Sequence, residues 1–208
     1  MDLTESSYQG EDFTEVDLER AVIEGISFTD CDFAGASLAG CSTLRAEFTG
    51  CRFFGTELYS SQHRASSFVG CTFERASWHS SSLVDCRLAG SSFTDCRIVP
   101  ITLTDCDLSL VSMAGCKLAG TDLSGIRLRE ANLTGADLTG CDLRGADLAG
   151  ARAIGTVLER ADLRGAIIEA GTWVGAKLTG ARVDLEQAVR FAVAHGLVLQ
   201  GEDETAPG

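Results

Sequence analysis

From Leu3 to Val183 every fifth residue is large and apolar in 34 of 37 slots, the exceptions being Thr43, His63 and Ala153. The residue two before each centre is usually Ala, Cys, Ser or Thr, and the residue two after it is Gly in 19 pentads. No insertion shifts this register. A period of five fits neither the helical nor the strand period, so the chain must turn once per beat. In ANLTG, ADLTG, CDLRG and ADLAG (131–150) the small first residue and the Leu are expected inside, the other three outside. Glycine suits the fifth place because a type II turn needs a positive φ at its third residue. Asp or Asn at the second place, as at Asp122, Asn132, Asp137, Asp142, Asp147 and Asp162, can accept hydrogen bonds from turn backbone.

The A-(D/N)-L-x-G beat, sustained over about 180 of the 208 residues, resembles the pentapeptide-repeat family. The resemblance implies an all-β solenoid: a right-handed quadrilateral β-helix with four pentads per coil, about nine coils, and a short C-terminal α-helix. Residues 20 apart would then stack about 4.8 Å apart, in a rod roughly 44 Å long. The expected organisation is a repeat over 1–183, a C-terminal helix and dimerisation segment over 184–199, and a disordered tail over 200–208. Within the repeat, residues 1–25 read as a cap-like coil, because Glu5, Glu11 and Glu15 stand where later pentads are neutral.

Departures from the beat mark the informative places. Centres favour Phe from residue 26 to 98 and Leu from 103 onward, and Pro100 sits between, in a glycine slot, where a kink or altered turn is expected. Thr43 and His63 are 20 apart, so they should stack inside adjacent coils and hydrogen-bond to each other. Ala153 lies between Leu133 and Trp173 in its column, and Gly171 is expected to make room for the indole. Phe54 and Tyr59, bulky at outward places, are either ordinary surface aromatics or an adhesive patch. After the repeat, ARVDLEQAVRFAVAHGL reads as a helix with Asp184 as N-cap, Gln187 three residues on and Gly196 as the stop. Leu185, Ala188, Val189 and Ala192, broadened by Phe191 and Ala194, form the stripe expected to cover the last coil.

All nine cysteines occupy the first place of a pentad, where Ala or Ser otherwise sits, and read as reduced core fillers rather than metal ligands or disulfides. The three histidines lie near no nucleophile, metal spacing or phosphate loop, so neither an enzyme nor a cofactor or metal site is expected. No apolar run is long enough to span a membrane, and the acidic N-terminus lacks a signal sequence, giving a cytoplasmic expectation. The net charge is −13, with −7 in residues 1–25, −2 in 26–183 and −4 in 184–208. Such a chain is not expected to bind nucleic acid directly; a basic protein partner fits better.

Within the family, residues 60–80 (SSQHRASSFVGCTFERASWHS), 86–88, 97–108, 127–130 and above all GARVDLEQAVRFAVAHGLVL (180–199) resemble the mycobacterial MfpA branch, related to the Qnr fluoroquinolone-resistance proteins. The unbroken register leaves no room for the projecting loops of many Qnr proteins. That resemblance implies a homodimer joined through the C-terminal helices, an acidic rod that mimics duplex DNA and binds DNA gyrase. Spacing places Asp122, Asp142 and Asp162 20 apart on one face, extended by Asp85 and Asp105, as the acids to face gyrase; Arg144 and Arg164 lie close by on the same face, and a turn-bracing role for the aspartates is the alternative. The implied dimer interface is Leu185, Val189, Phe191, Ala192, Leu197 and Leu199. Immunity against a topoisomerase-targeting toxin, or a scaffold role with another protein partner, are the alternatives.

Overall fold

The structure, a computed structural model, describes residues 3–169 and 175–198. The expectations for Gly171 and Trp173, for Leu199 and for the tail beyond it lie outside those residues.

The five-residue beat becomes a parallel β-solenoid. Four strands (Ser7–Gln9, Ser27–Thr29, Glu47–Thr49, Ser67–Val69) form one sheet, five (Val22–Glu24, Ser42–Leu44, Gln62–Arg64, Ser81–Val84, Ile101–Thr104) a second, and three (Arg52–Phe54, Thr72–Glu74, Ser92–Thr94) a third. Every pairing is parallel with an offset of 20, as in Phe28↔Phe48 and Thr43↔His63. A fourth face is held by single bridges such as Ser37↔Glu57 and Glu57↔Ser77. Four pentads thus make one turn. Regular strand pairing accounts for about five turns, the length of the longest ladder, rather than the nine expected. The later repeat continues as isolated bridges, among them Asp122↔Asp142 and Asp147↔Ile167.

The reason is the turn. Most pentads of the later repeat, like those centred on Phe13 and Phe33, close with a bond from the residue three after the centre to the centre's carbonyl, as in Ala136 N to Leu133 O at 2.9 Å and Ala146 N to Leu143 O at 3.1 Å. The residue between, at the fifth place, has positive φ, for example 68° at Gly135. Such a corner leaves one residue per face in extended pairing. The second-place carboxylates brace it from outside: Asp122, Asp142 and Asp162 each accept from the backbone N–H two residues on, at 2.9, 3.1 and 3.3 Å.

Inside, the Phe centres build two columns. Tyr8, Phe28, Phe48 and Phe68 stack with centroids 4.8 to 5.3 Å apart, and Phe13, Phe33, Phe53, Phe73 and Phe93 run beside them at 4.8 to 5.0 Å. Each ring adds about 0.5–1.5 kcal/mol per aromatic pair to the burial itself. Tyr8 and Phe13 belong to these columns, so the first coil follows the path of the later ones. First-place side chains do more than fill space: the thiol of Cys51 and the hydroxyls of Thr56, Ser91 and Thr156 all donate to the carbonyl 23 residues earlier. Burial pushes the thiols of Cys41 and Cys116 up to about 12, so they stay protonated. The Val99–Pro100 bond is cis.

The C-terminal helix spans Leu185–Ala194. Asp184 accepts from Gln187 N at 2.9 Å while Gln187 Oε1 accepts from Asp184 N at 3.0 Å, a reciprocal cap. Gln187 then turns its amide into the solenoid and donates to Leu163 O at 2.7 Å and Ala166 O at 2.8 Å. Asp184 Oδ2 accepts from Gly165 N at 3.0 Å. The side facing the last coil is therefore Gln187 with Phe191, which packs on the core. Leu185 is 82% exposed, so the expected covering stripe is corrected: Leu185 and Val189 face outward, because the polar clamp at Gln187 sets the helix rotation.

Candidate interaction surfaces

The three second-place aspartates are brought together as expected: Asp122↔Asp142 and Asp142↔Asp162 are successive parallel bridges on one face. Their charges are not alike. Arg144 Nη2 lies 2.5 Å from Asp142 Oδ2, and Arg164 Nη2 lies 2.6 Å from Asp162 Oδ2. The Arg144 guanidinium holds the Asp142 carboxyl below its ordinary value, and hydrogen bonding from Arg164 lowers Asp162 to about 2. Asp122 is exposed and makes no ion pair among the described residues. Asp85 and Asp105 occupy successive corners of the same face, both at positive φ (55° and 52°), and they too lack an ion pair among the described residues.

Beside these corners runs an open notch of about 700 Å³. Its floor is Ala65, Ser66 and Ser67; Arg45 and Glu47 form one rim, Asp85 and Arg87 the other, with Asp105, Asp107 and Arg127 beyond. Arg45 turns away to Glu24 at 2.7 Å. Asp107 bridges in register to both Arg87 and Arg127. Burial acts to raise its carboxyl, but bonds from Ser109 and the two guanidinium fields bring it below its ordinary value.

The C-terminal end presents the other surface. Leu185, Val189, Val193, Leu197 and Val198 are exposed, the first three at four-residue spacing along the helix. Val193, absent from the sequence-based set, is found by that spacing alone. Ala192 is half-buried, and Phe191 with Ala188 lines an apolar groove of about 180 Å³ against Leu178, Ala181 and Val183. Phe191 thus serves the seam within the chain.

The remaining candidates are internally satisfied. His63 is buried, with Nδ1 2.9 Å from Thr43 Oγ1 and Nε2 2.8 Å from Ser61 Oγ; Ser66 and Ser81 extend the network. Burial pushes its pKa down to about 3. His79 Nδ1 meets Ser77 Oγ, and its ring stacks on Tyr59 at 5.2 Å. Phe54 lies under the guanidinium carbons of Arg52 and Arg75, at 5.9 and 5.7 Å. His195 Nδ1 lies 2.9 Å from Phe191 O, at the helix C-terminus. Among the described residues there is no cluster of three or more acidic, His or Cys side chains placed to hold a metal ion, and no helix long and apolar enough to cross a membrane.

Two family descriptions match the sequence: "Pentapeptide repeat region" over residues 76–153, and "Pentapeptide repeats (8 copies)" over 31–62 and 141–170. The chain belongs to the pentapeptide-repeat family. A search of curated protein sequences finds no significant match. Among solved structures, a trypsin-treated variant of QnrB1, described as a plasmid-mediated fluoroquinolone resistance protein, superposes with a TM-score of 0.80 at 22% identity, covering 93% of this chain and 97% of that one. Full-length QnrB1 gives 0.75 at 21% identity, covering 92% and 100%. At that identity the likeness establishes a shared fold.

Proposed function

We propose that this pentapeptide-repeat protein is a non-catalytic, cytoplasmic ligand of DNA gyrase that occupies part of the enzyme's DNA-binding surface and so gives fluoroquinolone resistance. The observation that carries the reading is the fold match to a fluoroquinolone resistance protein along nearly the whole of both chains. It is joined by the resemblance of residues 180–199 to the MfpA branch. Fluoroquinolones poison gyrase on cleaved DNA; a protein competing for that surface reduces the drug's target. The active form in this reading is a homodimer, its interface the exposed stripe Leu185, Val189, Val193 and Leu197. Apolar side chains exposed in series on one helix are what a symmetric interface buries.

The test is supercoiling by purified gyrase with and without the protein over a salt series. Inhibition at low micromolar protein, relieved by salt, is expected; no effect on gyrase from a matched host would sink the proposal. A scaffold role with a different protein partner is the second reading, favoured by the Arg144 and Arg164 pairs that neutralise two of the three ladder aspartates.

A further inference from the structure

We propose that the notch over Ala65 and Ser67 is a docking site for an extended segment of the protein partner, with one arginine or lysine of that segment reaching Asp85 and Asp105. The inference rests on the gyrase reading for the partner's identity, though not for the site itself.

The notch exists because one coil carries small side chains where its neighbours carry long ones. At the corner the order along the rod is Arg45, Ala65, Asp85, Asp105; on the adjoining face it is Glu47, Ser67, Arg87, Asp107. The coils on either side of Ala65 and Ser67 are two rises apart, about 9.6 Å, which admits one extended chain. The upper rim leans away from the floor: Arg45 is held by Glu24, and Glu47 accepts from Ser27 at 3.4 Å on the preceding coil. The opening is therefore not closed by its own side chains.

Charge selects the occupant. On the floor side, Arg87 and Arg127 have Asp107 between them in register, so their positive charge is already shared. At the corner, Asp85 and Asp105 are exposed on successive coils and make no ion pair among the described residues. An incoming cation gains two carboxylates, whereas an incoming anion must displace Asp107. The net charge of −13 draws cationic segments toward the rod from a distance. Half-buried Val69 at the notch supplies apolar contact for a neighbouring side chain of the segment.

The experiment compares full-length wild type with three variants: Asp85→Asn/Asp105→Asn, Ser67→Tyr to fill the notch, and Asp142→Asn/Asp162→Asn as the arginine-paired control. Affinity for purified gyrase is read by interferometry, with circular dichroism confirming the fold. The first two variants are expected to bind at least tenfold more weakly, and the control within threefold of wild type. Gyrase binding that survives both notch variants within threefold overturns the site. A second arm separates this from failure of the gyrase reading: the peptide acetyl-TVRVT-amide is titrated into labelled protein and amide shifts are followed by NMR. Shifts confined to residues 45–107 and lost in Asp85→Asn/Asp105→Asn support the site even if gyrase does not bind. Shifts that are absent, or scattered elsewhere, overturn it.

Discussion

His63 is the most sensitive internal group. It is 2% exposed and surrounded by neutral partners: Thr43, Ser61, the edge of Phe68 and the ring of Trp78. Burial lowers its pKa from 6.5 to about 3. Protonation is thus disfavoured in the fold and free in the unfolded chain. A base with a depressed folded pKa contributes full stability above pH 6.5 and loses it as pH falls toward 3, because the unfolded chain binds the proton first. A shift of that size amounts to about 5 kcal/mol at the acid limit, and to about 2–3 kcal/mol between pH 6 and 4. Carboxylates also titrate in that window, so the informative quantity is a difference. His63→Leu is expected to lose about 1–3 kcal/mol at pH 7, since Thr43 and Ser61 each lose one hydrogen bond while keeping those to Ser66 and Ser81. Its stability should then fall less steeply with acid than that of wild type. Equilibrium urea denaturation at pH 4, 5, 6 and 7 on both proteins measures the two slopes. Parallel slopes would refute the argument, whatever the offset between them.

Three further outcomes follow from the geometry. Gln187→Leu takes the donor from Ala166 O and leaves Leu163 O only the bond from Ala166 N, at about 1–3 kcal/mol for the buried unpaired carbonyl, and should speed hydrogen exchange across residues 188–195 at least tenfold; unchanged exchange would remove the clamp. Leu185→Asp with Val193→Asp is expected to halve the mass measured by light scattering, and a retained dimer would take this helix out of the interface. Leu110, exposed at φ 61°, holds a backbone conformation that favours glycine, so Leu110→Gly should gain about 1 kcal/mol in thermal or chemical denaturation; a loss contradicts the strain reading.

What the sequence made legible was whatever repeats. The centres, the small first places, the left-handed corners and the turn-bracing aspartates each recur every coil, so one pentad predicts the rest. The Thr43 to His63 bond was readable for the same reason, 20 residues being one turn. What repeats less is harder. Pentads that form strands and pentads that close with a tight turn share the five-residue beat, and only the Phe-to-Leu change hinted at where regular pairing would end. The orientation of the helix is not legible in the sequence, because both of its sides carry apolar residues. Gln187 decides between them, and its acceptors are backbone carbonyls of Leu163 and Ala166, which no side-chain pattern advertises. Arg144 and Arg164 were visible beside the ladder, but their pairing with Asp142 and Asp162 needed coordinates.

That pairing bears on how such a rod could compete with DNA. Duplex DNA carries a negative charge for about every 1.7 Å, so a length of about 38 Å, eight coils, presents about 22 charges. Residues 26–183 carry a net charge of −2. Total charge therefore cannot be the basis of the competition; shape and a few placed carboxylates must be. On the ladder face those are Asp85, Asp105 and Asp122, which fall on three consecutive coils, whereas Asp142 and Asp162 are already answered by arginines. A rod built this way should lose affinity for a cationic partner with salt far less steeply than DNA does. A salt dependence as steep as that of DNA would place the contact instead on the acidic first coil, where Glu11, Asp12, Glu15, Asp17 and Glu19 crowd within nine residues.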